Sequence, residues 1–339
     1  MKKLITLSML LMATALFAQE ETTETPKFSL SGSIDAYYRA NLNAPNNEGT
    51  LTQSPGTSFA NLPGFALGMA NVIASYEGEK VGFVADLVFG PRGTDAIFNS
   101  PMYSNTGDIV NQLYAYWNVS ESVKLTMGNF NTFLGYEVIS PTANFNYSTS
   151  YLFTNGPFSH TGLKADFTLS DDFSLMVGVM NGTDLTEFNP NGSYAFGAQL
   201  GYSGQFLNFL YDDAGLGFEV DYTGGFDLSD SFFLGINGAY QTKDDAGFYG
   251  VALYPQLAAS DAFSVGLRGE LFGYHEKDVD DIPSVLGLTL TGSYAIDNLT
   301  IKPEIRLDSW NKDYEPFFNN DGDSVKSLGS FVLAAIYSF

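Results

Sequence analysis

Four charged side chains stand at every second position of one short segment: Lys302, Glu304, Arg306 and Asp308. The residues around and between them, Leu299, Ile301, Pro303, Ile305 and Leu307, are apolar. Residues two apart on a β-strand share a face, so this segment has one wall of alternating sign and one with no polar side chain. A Lys or Arg facing lipid at the bilayer midplane costs about 2–4 kcal/mol. The charged wall must therefore look into water. Nothing in it makes or breaks bonds; its chemistry is attraction and orientation of polar solutes. The same face is expected for Asp35, Arg39, Asp86, Lys164, Asp166, Glu219, Asp221, Arg268 and Glu270. Arg39, Lys164, Arg268 and Arg306 either form a basic ladder facing acids, with a transverse field across a lumen, or pair across strands and merely solvate the wall.

Catalytic chemistry is poorly served. The chain has two His, His160 and His275. His160 follows Ser159, but neighbours on a strand point to opposite faces, so the pair is no nucleophile and base. His275 lies among Glu276 and Asp278, with no converging triad. No enzyme and no cofactor are expected. Asn319, Asp321 and Asp323 have the odd spacing of a calcium loop, but Ser324 stands where Gly is needed and no Glu follows at the twelfth place. At most, a loose surface Ca²⁺ is expected there.

The elements that hold these residues are strands. From Phe28 the set Phe28, Leu30, Gly32, Ile34, Ala36, Tyr38 alternates with Ser29, Ser31, Ser33, Asp35, Tyr37, Arg39. Weaker alternation recurs, predicting sixteen strands near 28–39, 66–77, 80–90, 109–119, 122–130, 158–169, 173–181, 193–202, 205–211, 216–228, 231–241, 247–257, 263–272, 284–295, 299–308 and 326–339. Short polar turns interleave with longer connections, the modest 212–215 and 242–246 among the longer set. That parity matches a transmembrane antiparallel up-and-down β-barrel with short periplasmic turns, longer extracellular loops and both termini in the periplasm. Pro303 cannot donate to a ladder and predicts a bulge or broken pairing.

The ends agree. Lys2 and Lys3 precede an apolar run to Phe17, which reads as a signal peptide over 1–18. Residues 19–27 are a polar lead-in, and 28–339 form one barrel domain. The chain finishes on an alternating strand whose Tyr337 and Phe339 share a face with Phe331 and Leu333. These look like the terminal signal that barrel-assembly machinery reads.

Composition narrows the partners. With 15 basic and 38 acidic residues the net charge is −23, which repels nucleic acid. The acids gather in expected loops, such as Asp278, Asp280 and Asp281, as a solvated rim or one that attracts cations. Cys is absent, so disulfides and thiolate sites are excluded. No second apolar stretch is long enough for a transmembrane helix.

The connection 131–157 is unlike the rim. Glu137 is its one charged residue, among Phe133, Tyr136, Phe145, Tyr147, Tyr151 and Phe153. It is expected either to fold into the lumen as a constriction, with Glu137, Tyr136 and Phe133 near the narrowest point, or to cover the wall or a neighbouring subunit.

The run Met127-Gly128-Asn129-Phe130, then Gly135-Tyr136-Glu137, then Asn155 to Leu163 (Asn-Gly-Pro-Phe-Ser-His-Thr-Gly-Leu), together with Gly178 to Asp184, resembles the OmpL-like putative β-barrel porin family. The resemblance covers nearly all of the chain beyond the signal peptide. It implies an outer-membrane porin for small hydrophilic solutes and no catalytic residues. The expectation is passive diffusion through a water-filled, mixed-charge lumen with mild cation preference, in contact with outer-membrane lipid; many sixteen-strand porins are trimers, so a homotrimer is one expected assembly. The alternative is a plugged or narrow barrel acting as a surface binding or structural protein.

Overall fold

Alternation over long stretches gives strands with one apolar and one polar face, and such strands bury both only by closing on themselves. The computed structural model describes residues 27–47, 53–97, 109–187 and 189–339. The expected signal peptide, and the lead-in up to residue 26, lie outside the described residues. Sixteen strands close an antiparallel barrel: β1 (Lys27–Asn41), β2 (Gly64–Glu77), β3 (Val81–Phe89), β4 (Val110–Ser120), β5 (Val123–Asn131), β6 (Ser159–Thr168), β7 (Phe173–Met180), β8 (Ala195–Tyr202), β9 (Gln205–Asp212), β10 (Gly217–Ser229), β11 (Phe232–Lys243), β12 (Ala246–Ala258), β13 (Phe263–Glu276), β14 (Ser284–Ile296), β15 (Leu299–Trp310) and β18 (Ser327–Ser338). Two-residue strands β16 (Phe317–Phe318) and β17 (Ser324–Val325) form a separate small hairpin. Helices α1 (Pro91–Ala96) and α2 (Tyr151–Asn155) lie in connections.

Every barrel strand pairs with its sequence neighbours, and β18 closes on β1 with Ile34 opposite Tyr337 and Asp35 opposite Ile336. Phe339 and Gly32 exchange both backbone hydrogen bonds at 3.0 Å. The outward face is apolar: Phe65, Leu67, Met127, Leu163, Ile305 and Leu333 are exposed. Outward aromatics gather toward the two strand ends, with Tyr76, Phe83, Phe173, Tyr202 and Tyr337 at one and Phe65, Phe196, Tyr211 and Tyr249 at the other. Such girdles mark membrane interfaces.

Two local expectations meet detail. Opposite Pro303 and Lys302 the β14–β15 ladder skips Gly292 and Ser293 while keeping its register. The missing proline donor thus breaks the pairing without a bulge. The connection 242–246 is not long: Lys243 pairs with Ala246, leaving a two-residue turn. Asp244 and Asp245 both take positive φ, 51° and 68°, the turn that matches strand twist. The length contrast between the two ends of the barrel fails at this hairpin.

Candidate functional site

The inward face of the barrel carries all thirteen charged residues read from the alternation. Their surroundings differ sharply, because the segment 132–158 lies inside the barrel and is bonded to the wall. Its backbone is held by side chains of β13 and β15. Glu304 accepts the N–H groups of Tyr147 (2.9 Å) and Ser148 (3.2 Å). Glu270 accepts those of Tyr151 (3.0 Å) and Leu152 (2.8 Å). These two are first-turn donors of α2, which have no partner within the helix. Arg268 donates from Nη1 to the Ser148 carbonyl at 2.6 Å and pairs with Glu137 at 2.6 Å. Arg306 donates to the Thr149 carbonyl at 2.8 Å and forks onto Asp308 at 2.8–3.0 Å. Lys302 donates to the carbonyls of Pro141 (3.1 Å) and Asn144 (2.5 Å).

Other strands hold the same segment. Asp35 on β1 accepts the Tyr147 hydroxyl at 2.5 Å and the Met69 N–H at 2.9 Å. Asp221 on β10 accepts the Gly135 N–H at 3.0 Å. Tyr136 stacks on Tyr254 with ring centroids 4.3 Å apart. Its hydroxyl occupies the space a side chain at Gly235 would need, as Phe145 does at Gly266. Wall glycines are thus seats for segment side chains. Phe133 packs 5.2 Å from the His160 ring, and its carbonyl accepts from Gln199. Burial pushes the phenols of Tyr136, Tyr147 and Tyr151 above the usual tyrosine range.

The constriction candidates are therefore placed as follows. Glu137 is buried: one oxygen meets Arg268 and the other accepts the Ser150 N–H and hydroxyl at 2.7 Å each. Tyr136 and Phe133 pack on different stretches of the inner wall, against β12 and β6. Asp86 is enclosed by amide donors from Asn71, Asn111 and Gln112. Arg39 donates to the Gln53 and Asn61 carbonyls and to Asn41. Glu219 is buried on β10. Only Lys164 and Asp166, paired at 3.1 Å on β6, retain substantial exposure, with 24 % and 36 % of their side chains accessible.

The expectation that the charged wall looks into water needs correction at most positions. Those side chains face inward, but their polar partners are protein groups: the backbone of 132–158 and of the first connection, wall amides around Asp86 and Asp221, and opposite charges. A carbonyl or N–H of an irregular segment satisfies a charge as water would. The basic ladder is likewise broken up: Arg268 and Arg306 sit in ion pairs, Arg39 on carbonyls, Lys164 in a pair of its own.

Several inner residues escaped the sequence reading. Arg92 in α1 donates to the Ile139 carbonyl at 2.9 Å and lies 4.3 Å over the Phe59 ring. Thr57 and Phe59, from the first connection, reach Arg306 and the Phe153 ring. The signal was present: residues 40–65 contain one charged residue, Glu48, and otherwise the polar and aromatic types of 131–157. At Asn319 the side-chain oxygen accepts the Asp321 and Asp323 N–H groups at 2.9 Å, closing a turn. Among the described residues no cluster of metal-ligating side chains forms. His160 is fully buried with Nε2 2.9 Å from Thr132 Oγ1, and His275 binds the Gln241 carbonyl.

A closed sixteen-strand barrel with an apolar belt and an inner wall of both signs defines an outer-membrane porin architecture. The family model described as putative beta-barrel porin-2, OmpL-like, matches residues 27–339, and the chain belongs to that family. Among solved structures it is similar to the outer membrane channel DcaP of Acinetobacter baumannii, with 13 % identity, 95 % of this chain and 100 % of that chain covered, and a TM-score of 0.62. It is also similar to the anion-selective porin from Comamonas acidovorans, at 10 % identity, 93 % and 100 % coverage and a TM-score of 0.60. The trimer form of OmpT from Vibrio cholerae matches at 10 % identity, 93 % and 100 % coverage and a TM-score of 0.53. No curated protein matches the chain at a significant level.

Proposed function

We propose that this protein is a non-enzymatic outer-membrane porin through which small hydrophilic solutes diffuse, with both termini in the periplasm and the segment 132–158 narrowing the passage. The observation that carries the proposal is the closed sixteen-strand barrel whose inner wall carries charged residues of both signs on β1, β3, β6, β10, β13 and β15. The thirteen wall charges shape the field of the passage, some directly and most by fixing the segment that lines it. The acidic excess, 38 against 15, supports a mild cation preference. The similarity to an anion-selective porin means that this fold does not dictate the sign. A homotrimer is the favoured assembly, in keeping with the trimeric OmpT form. Tyr337 and Phe339 serve as the assembly signal.

A second reading has an observation of its own. Arg39, Arg268, Glu270, Glu304, Arg306 and Asp308 are each at most 2 % exposed. Packing this tight supports a barrel closed at the level of the segment, with a surface-binding or structural role. Planar-bilayer recording under a KCl gradient separates the two. Discrete, long-lived current steps with a cation-directed reversal potential are expected. Demonstrably inserted protein that gives no steps sinks the channel and leaves the closed barrel.

A further inference from the structure

Inward-facing wall glycines are filled by the inner segment: Phe133 takes the space beside Gly197, Tyr136 that beside Gly235, Leu152 that beside Gly250 and Phe145 that beside Gly266. Gly178 on β7 is different. It faces inward, opposite Lys164 on β6 and Gly197 on β8, and it is half-buried. The three atoms nearest to a side chain placed there belong to the wall: the Leu163 carbonyl oxygen and Lys164 Cβ at 3.4 Å, and Met180 Sδ at 3.6 Å. Those are ordinary contacts, so this seat has room.

The charges beside the seat are the accessible ones. Lys164 and Asp166 keep 24 % and 36 % of their side chains accessible. Asp166 binds Lys164 with both oxygens, at 3.1 and 3.2 Å. Lys124 on β5 stands opposite Asp166 in register and is exposed. Among the described residues it forms no ion pair. Strands β5 and β6 carry no other Lys, Arg, Asp or Glu, so this part of the wall keeps one positive charge in excess. Each ammonium lies over a ring, Lys124 5.2 Å from Tyr116 and Lys164 5.5 Å from Phe130, which restricts where the two can point.

We propose that Lys124, Lys164 and Gly178 form a binding site for an aromatic monocarboxylate. This site builds on the reading of the barrel as a passage for hydrophilic solutes and names one class of them. Neighbouring strands lie about 4.8 Å apart, so β5, β6 and β7 present ammonium, ammonium and bare backbone in equal steps. A carboxylate set between the two ammonium groups extends a planar ring onto Gly178. Met176 and Met180, on the same face to either side of Gly178, flank that ring with thioethers, which make favourable contacts with aromatic edges. One carboxylate uses the one excess charge; a second has no free cation to meet. The acidic excess governs entry at the mouth, and this site acts on solutes already inside.

The test uses the mature chain folded in detergent and para-fluorobenzoate, whose fluorine NMR line broadens on binding. Saturable broadening is expected, displaced by unlabelled benzoate and absent with protein-free micelles. Lys164→Gln should weaken binding roughly tenfold, the loss of one charge-assisted contact. Gly178→Leu should abolish it by filling the seat, and Asp278→Asn on the exposed rim should keep it. Absence of saturable broadening in the wild type would overturn the proposal, as would binding that persists in Gly178→Leu. So would para-fluorobenzyl alcohol, the ring without the charge, binding as well as the acid. If Gly178→Leu does not fold, the double variant Lys124→Gln with Lys164→Gln decides: loss of binding supports the site, and wild-type binding refutes it. Planar-bilayer recording on the same preparation separates the site from the channel. Current steps without benzoate binding refute the site and leave the porin; benzoate binding without steps supports the site in a barrel that does not conduct.

Discussion

Two charged pairs on the inner wall have the same order of charges and the same strand spacing, yet opposite surroundings. Arg306 and Asp308 on β15 are 2 % and 0 % accessible, while Lys164 and Asp166 on β6 are 24 % and 36 % accessible. The difference lies in what the inner segment does on each side. Against β13 and β15 it presents bare backbone, at Ser148, Thr149, Tyr151 and Leu152, and wall charges bond to it at each of these residues. Near β6 it presents the Phe133 ring to His160, while Lys164 hydrogen-bonds to Asp166 and lies over the Phe130 ring of β5. The same two-residue alternation therefore builds a fastening on one wall and a wet surface on the other. A charge on an inner wall is no measure of a passage until its partner is known.

The largest effect is expected from breaking the fastened side. Arg268→Ala leaves Glu137 buried without a cation, and loss of one partner from a buried pair costs about 3–5 kcal/mol. Urea or heat unfolding should show that loss, and bilayer recordings should show larger or noisier currents as the segment loosens. Unchanged stability and current would mean that the clamp does not hold the segment.

Next in size is the far end of the segment, where Asp184 Oδ1 accepts the Phe158 and Ser159 N–H groups at 2.8 Å each. Burial pushes this carboxyl up to about 6, against the lowering by those two donors. In the folded state it therefore keeps a proton that the unfolded chain has released between about pH 4 and pH 6. Stability present below pH 4 is lost as the pH rises through 6. Asp184→Asn keeps the accepting oxygen and removes the charge, so it should gain about 3 kcal/mol at pH 7 and nothing at pH 4. Unfolding measured at the two pH values checks the sign; an equal effect at both would refute it.

The smallest effect on stability is expected at the wet pair. Lys164→Gln should change unfolding by less than about 1 kcal/mol, yet move the reversal potential further toward cations. A large stability loss without a selectivity change would show that both walls are fastened alike.

How far these features were legible follows from the physics of each. Strand parity is local, so the sixteen strands and the inward set could be read from Lys302 to Asp308 and its weaker repeats. The resemblance in Met127–Phe130 and Asn155–Leu163 pointed to the family that the chain belongs to. Partners across a lumen are not local. Nothing near Glu304 in sequence announces Tyr147 and Ser148, 157 and 156 residues away. The Asp244-Asp245 turn was misjudged as a modest loop because both aspartates adopt left-handed backbone, which residue type alone only permits. Arg92 follows Pro91 in a connection, where no alternation assigns a face, so its inward position is not legible from the sequence pattern.

Tyr147 joins Asp35 through its hydroxyl and Glu304 through its backbone. Those residues belong to β1 and β15, the two strands that flank β18. The interior thus carries a gauge for the width of the final gap. A chain whose first and last strands must meet across some 300 residues faces a slow, entropically costly search. Tyr147 spans the place of that last docking, with β18 as the one strand between its two partners. Its bonds therefore tie the interior to the seam at which the cylinder closes.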